Sequence, residues 1–412
     1  MRLLQISCIL LPAMLGAAVF PGAQGFGIHT RAGSGGQVLR VTNLDTAGPG
    51  SLRAALETKG PRIVVFEVGG VIDLQKQDLA LTEPFITIAG QTAPSPGITV
   101  IRGSLSIRTH DILMQHMRFR IGDAGAPKKS GYEPEVSTSG PDAYNIVIDH
   151  CSFSWAVDEN MSVSGPRDKG PLGTSRRITL SNNIIAEGLR ESSHAKGLHS
   201  MGTLVHDSAN DIAVVGNFYA HNNQRNPYFK AFTTGVVVNN LIYNPGTGAI
   251  SVNWPEGEWR GRNVTPQNAR IAVVGNVMYH GVNTREGLGL VGPKGDVFMD
   301  DNLAFDIHGK PAPLVYGQVR MLADKPLWPE GLVARPASEV TEWVLRNAGA
   351  RPKDRDEADT RLVREFRERK GRQIDSQDDV GGYPKTPMTR HSLQVPASGV
   401  DEWLVGMARR VE

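Results

Sequence analysis

Two cations stand five residues apart in the stretch His221-Asn222-Asn223-Gln224-Arg225-Asn226-Pro227-Tyr228-Phe229-Lys230. A short apolar run, Ile212 to Val215, and a Gly216-Asn217 turn precede it, and Val236-Val237-Val238 with Asn239-Asn240 follows. The pattern predicts a loop between β-type segments. Pro227 stiffens that loop, since its ring fixes its own φ and biases Asn226 toward extended backbone. A stiff loop that carries guanidinium and ammonium together suits an anionic ligand. A solvated basic loop has the same composition, so the surrounding elements must decide between the two.

A second stretch, Ser193-His194-Ala195-Lys196-Gly197-Leu198-His199, adds one ammonium and two imidazoles. His194 and His199 are candidate general acids or surface-loop histidines, and their i, i+5 spacing is not that of a helical metal pair. Arg118 and Arg120 alternate about Phe119. On a strand both point outward, to bind carboxylates of a ligand or to pair with local acids. With 44 Lys and Arg against 42 Asp and Glu, the net charge of +2 argues against a nucleic-acid partner. Attraction for anions must come from local placement.

The elements that hold these residues read as short strands separated by turns. Gly at 46 and Pro at 26, with few aromatics, favour that organisation. The middle of the chain repeats itself at Ile178–Ile185, Ile212–Tyr219, Val236–Tyr243, Ile271–Tyr279 and, more loosely, Val297–Phe305. Each copy is a strand, a bend at Gly-Asn or Asn-Asn, and a second strand. Asn tolerates left-handed backbone, which suits a tight bend. Repeats of this kind predict a solenoid, an all-β right-handed parallel β-helix, with Asn side chains forming a ladder from coil to coil. A β-sandwich would favour Asn-Gly hairpin turns, which are scarce here.

Ser51 is placed to cap a short helix with Leu52 and Leu56 on one face. After about Leu322 the composition changes. A helix capped at Ser338 and a charged, solvated helix within Asp354 to Arg372, striped by Leu362, Val363 and Phe366, predict a partly helical tail packed on the solenoid. The first residues have the pattern of a secretory signal: Arg2, an apolar stretch from Leu3 to Val19, and small residues before a cleavage point after Ala18. A membrane anchor fits less well, because Pro12 interrupts a run short for a span. The expected organisation is a leader over 1–18, a β-helix over 19–321 and a packed tail over 322–412. The expected product is a secreted (extracellular or periplasmic) monomer with no membrane span. Cys151 is the only cysteine left after cleavage, so no internal disulfide is expected.

Several motifs carry a family likeness. They are Phe20-Pro21-Gly22-Ala23-Gln24-Gly25-Phe26-Gly27, Gly48 to Arg53, Ile88 to Pro94, Arg118-Phe119-Arg120, Ile148-Asp149-His150-Cys151-Ser152, Asn222 to Lys230 and Asn347 to Pro352. Taken in this order, the chain resembles the pectate lyase family of extracellular polysaccharide lyases, whose fold is also a right-handed parallel β-helix. The resemblance implies β-elimination on a polyuronate, with polygalacturonate (pectate) as the expected substrate. A base removes the C5 proton alpha to the carboxylate, and the bond from C4 to the leaving oxygen breaks. Such a site must neutralise the carboxylate and the enolate-like charge that develops.

By position Arg225 resembles the family's catalytic arginine, Lys230 its second cation, and Lys196 the lysine that contacts the carboxylate beside the scissile bond. His194, His199, Arg118 and Arg120 are candidates for further substrate contacts. The resemblance also implies a Ca2+ site with Glu133 and Glu135 before the Ile-Asp-His strand and Asp158 after it. The partner of Asp158 falls at the neutral Ser162, which weakens such a site. Asp149 and His150 read as structural. The competing readings are a metal-independent pectin or uronan lyase, a non-catalytic glycan-binding β-helix, and a glycoside hydrolase, which needs paired carboxylates that the motifs here do not reproduce.

Overall fold

In the computed structural model, residues 17–412 are described. The expected leader lies almost wholly outside them. The strands stack as successive coils, and their pairings are parallel except for Thr389–Arg390 of the tail against Val68 and Gly69. The expected parallel β-helix is therefore what the repeats build. In the first wall, Ile148, Leu180, Val214, Val237 and Val273 occupy one register across five coils. All five are fully buried in one continuous core. Each coil thus covers the aliphatic row of the next, and no coil could bury its row alone.

At the corner after this wall the asparagines form the predicted ladder. Asn183 Nδ2 donates to Asn217 Oδ1 at 2.9 Å, Asn217 to Asn240 at 2.9 Å, Asn240 to Asn276 at 2.9 Å and Asn276 to Asn302 at 3.1 Å. Every member is buried. Leaving one of these amides without its partner would cost about 1–3 kcal/mol.

The second wall runs through Met117–Arg120, Ser152–Ser154, Ile184–Ala186, Phe218–Ala220 and Leu241–Tyr243. Helix α1 (Leu52–Glu57) lies near the start of the chain, and the Ser51 hydroxyl accepts from Ala54 N–H as expected. Helices α2 (Ala337–Asn347) and α3 (Glu357–Glu368) of the tail cover the second wall, burying Val340, Val344, Leu362 and Phe366 against Ile184, Phe218 and Leu241. Helix α4 (Val400–Val411) returns to the first wall, where Leu404 meets Ile63 and Val65.

One expectation for the tail needs correction. Ser338 does not cap α2; the helix begins at Ala337, whose N–H donates to Asp301 Oδ2 of the β-helix at 2.7 Å. Helix α3 has the expected solvated face and buries Leu362 and Phe366 of the expected stripe, while Asp359 in its first turn is fully buried in an ion pair described below. The third wall contains Val136–Ser139, Glu159–Ser164, Met201–Val205, Tyr228–Phe229 and Ile250–Val252. No tail helix covers its outer face where the candidate residues gather.

Candidate active site

Arg225 adopts left-handed backbone at φ 64°. For a residue with a Cβ this conformation costs about 1–2 kcal/mol and persists only where neighbours impose it. They do so here. Its carbonyl accepts from Thr203 N–H at 2.5 Å, and the next residue, Asn226, donates its N–H to Ala249 O at 3.0 Å. Gly202 is required beneath it, since a Cβ there would come within 2.4 Å of the Arg225 carbonyl oxygen. A buried amide chain fixes the loop from below. Asn160 donates to Asn222 Oδ1 at 3.1 Å, Asn222 to Asn226 Oδ1 at 3.0 Å, and Asn226 to Gly248 O at 3.0 Å.

The Arg225 side chain lies over the acids of earlier coils. Its guanidinium pairs with Glu159, which is 3 % exposed, while the Arg225 side chain keeps 20 % of its surface open. Glu135, Asp158 and Glu159 bring carboxylate oxygens within 4.8 Å of one another. Burial and the charge of Asp158 push the Glu135 carboxyl up to about 7, against a hydrogen bond from Ser137. Burial also acts on Asp158, but the hydrogen bond from His199 and its charge outweigh it and hold that carboxyl below its ordinary range. Burial pushes the Arg225 guanidinium below its ordinary value, and the charges of Asp158 and Glu135 oppose the shift.

The histidines flank this trio. Their rings stack with centroids 3.8 Å apart. His199 Nε2 is 2.7 Å from Asp158 Oδ1, and His194 Nε2 is 3.7 Å from the same oxygen. Lys196 is exposed, and its N–H donates to His194 Nδ1 at 3.1 Å. The site thus presents an arginine, a lysine and a hard, oxygen-rich acid cluster on one side of the coils. Three crowded carboxylates, one of them with its pKa driven upward, fit a cation that takes oxygen ligands.

The chain is 31% identical over 391 residues to a probable pectate lyase C of Aspergillus flavus, a match covering 92% of this chain and 84% of that protein. The chain belongs to the pectate lyase family. A probable pectate lyase C of Emericella nidulans is 38% identical over 230 residues, covering 56% of this chain and 48% of the relative. No family model matches the sequence. Among solved structures, jun a 1, the major allergen from cedar pollen, superimposes with a TM-score of 0.57 at 17% identity, covering 79% of this chain and 92% of that one. A pectate lyase bound to a hexasaccharide gives a TM-score of 0.55 at 13% identity, covering 82% and 99%. These structures share the β-helical fold.

Within the pectate lyase family frame, the geometry separates the expected residues into two groups. Arg225, Glu135, Asp158, His194, His199 and Lys196 come together. Lys230 does not join them as a substrate-facing cation. Its ammonium is closed off between Glu258, with which it pairs, and Asp207 at 3.4 Å, and Arg167 completes that cluster. Arg118 and Arg120 are also corrected. They point outward from the coil as the alternation requires, but α3 covers them. Arg120 Nη2 donates to Asp359 Oδ1 at 2.7 Å and to Asp356 Oδ1 at 3.0 Å, while Arg118 Nη2 donates to Asp354 O at 2.9 Å. Both side chains are fully buried and taken up by the tail.

Of the other two expected metal ligands, Glu133 stands beside the histidines and Ser162 lies farther along its strand. Glu133 Oε1 accepts from Ala195 N–H at 2.8 Å and lies 3.4 Å from His194 Nδ1, so it anchors the Lys196 loop at the edge of the acid and histidine cluster. The Ser162 hydroxyl is 2.8 Å from Ser164 Oγ, along the strand from the acids. Glu159 takes the place expected for a further acid. The adjacent pair Asp158-Glu159, ahead of the neutral strand residues Asn160 to Ser164, was the visible signal for it. Asn160, Asn222 and Asn226 position the site without touching it, and only the repeat of buried asparagines pointed to them.

Proposed function

We propose that this protein cleaves pectate by β-elimination at the Arg225 site. The observation that carries the reading is a half-buried guanidinium on a stiff loop, held at a fixed depth over an acid trio. Arg225 takes the C5 proton of a galacturonate. The electron pair left at C5 forms the C4–C5 double bond as the C4–O bond breaks, and the leaving oxygen is protonated from solvent. Lys196, exposed at the rim, contacts the neighbouring carboxylate and offsets charge that grows as C5 loses its proton. His199 and His194 hold Asp158 and the Lys196 loop in place. Glu135, Asp158 and Glu159 would hold Ca2+, which supplies positive charge toward the substrate carboxylate when bound.

The pairing of Glu159 with Arg225 favours a second reading, in which the guanidinium itself satisfies this carboxylate and no metal is needed. On either reading the leader ends at Ala18, the 322–412 segment straps the coils, and the monomeric enzyme acts outside the cytoplasm. Among the described residues no helix is long and apolar enough to cross a membrane.

Incubation with polygalacturonate at alkaline pH, with calcium or with chelator, tests these statements through the ultraviolet absorbance of the unsaturated product. Product that disappears with chelator and returns with calcium is the expected outcome. Product that persists in chelator selects the metal-free reading. New reducing ends without the double bond would refute β-elimination.

A further inference from the structure

On the side of the histidine pair that carries Lys196 lies a cavity of about 350 Å3 with no role in the chemistry above, bounded by Lys128, Lys129, Glu191, Ser192 and the segment from Lys196 to Leu198. Two loops form it and are joined by their backbones. Lys129 N–H donates to Ser192 O at 3.0 Å and Gly131 N–H to Ser193 O at 2.8 Å. Lys129 lies over the neighbouring loop, because a Cβ on Gly197 would sit 3.3 Å from its Cε and 3.8 Å from its Nζ. Lys128 is paired with Glu191 at 3.3 Å. Among the described residues neither Lys129 nor Lys196 has a carboxylate partner. Two ammonium groups therefore border one cavity without a carboxylate of their own, because the one acid in its lining, Glu191, is taken up by Lys128. Ser192 is 2 % exposed and its Oγ has no hydrogen-bond partner, a buried polar atom that a ligand would satisfy. Leu198 is 62 % exposed at the same cavity.

These groups match the parts of one uronate residue: a carboxylate, hydroxyls and an apolar ring face. We propose that the cavity is an accessory uronate subsite. Lys129 binds the carboxylate of the sugar next to the one that Lys196 contacts, Leu198 supports the ring, and Ser192 Oγ exchanges a hydrogen bond with a ring hydroxyl. The identity of the ligand rests on the pectate-cleaving reading, and the cavity size is ordinary for a site of this kind.

The test uses the full chain carrying Arg225→Lys to suppress turnover, with and without Lys129→Ala, and calorimetric titration of hexagalacturonate and of its methyl ester. Lys129→Ala is expected to weaken the acid hexamer roughly tenfold, as loss of one charged contact implies. It should leave the methyl ester unchanged. In the chain with Arg225 intact the same substitution should raise KM with kcat nearly constant. Lys128→Ala, which removes a lysine already paired, should do neither. Thermal melts that superimpose exclude misfolding of these surface variants. Equal affinity of both chains for the acid hexamer, or an equal loss on the ester, would overturn the subsite. Failure of the wild-type chain to form unsaturated product would count against the lyase alone, since the titration reads the cavity independently.

Discussion

The protein contains two arginine–carboxylate arrangements, and what closes around them differs. At the second wall, Arg120 is fully buried between Asp356 and Asp359 on α3, and those carboxylates raise its pKa despite burial. At the third wall, Arg225 also meets carboxylates, yet burial wins and its pKa is lowered. One side chain is sealed by a helix; the other keeps a fifth of its surface open. Both pairings use the same chemical groups. The first acts as a clasp between tail and coils, whereas the second leaves the guanidinium able to meet a ligand.

The largest break in this comparison should come from Arg225→Lys. It should reduce the rate of unsaturated-product formation roughly a thousandfold, in the range for loss of a positioned base, with the thermal midpoint little changed. Full activity in that variant would remove Arg225 from the role of base. The reverse pattern is expected for Arg120→Met. Asp356 and Asp359 would keep only the longer cationic contacts, to Arg118 at 3.6 and 3.8 Å, so unfolding free energy should fall by about 3 kcal/mol in urea titration. The rate per folded molecule should stay within a factor of about two, given a readout separated from folding. Equal losses of rate in both variants would erase the distinction between the two arginines.

A smaller effect comes from pH. Burial opposes ionisation of Asp356, but the charges of Arg120 and Arg118 outweigh it and hold this carboxyl at about 2. Because the folded pKa lies below the unfolded one, its contribution is complete above pH ~4 and is lost as pH falls from ~4 to ~2. That contribution is on the order of 2 kcal/mol. Thermal melts of the wild-type chain should show the loss in this window, and Asp356→Asn should flatten it. An unchanged slope in the variant would place the acid sensitivity elsewhere.

The same contrast explains what could be read from the sequence. The Asn ladder was legible because Asn183, Asn217, Asn240, Asn276 and Asn302 each follow an aliphatic strand at one bend. The placement of Arg225 on a stiff loop was legible because Pro227 and the strand runs on either side of it coincide there. Alternation about Phe119 gave the outward direction of Arg118 and Arg120 correctly. Periodicity carries no information about which distant segment covers an outward face, so the clasp with α3 could not be read. Lys230 failed for a related reason: Asp207 and Glu258 reach it from other coils. Glu159 was missed because strict alternation places neighbours on opposite faces, whereas Asp158 precedes the strand and escapes that rule.

The corner asparagines have a consequence for how such a chain can diversify. Each coil is registered to the next by its own amides, independently of the loops that leave the third wall. The segments carrying Lys129 and Lys196 can therefore lengthen, shorten or be exchanged without resetting the stack beneath Arg225. Ligand preference can then vary apart from the scaffold, and grafting of the Lys129 segment between relatives is a practical route to altered polymer selectivity, whereas the Lys196 loop carries His194 and His199 and must travel with the acids they hold.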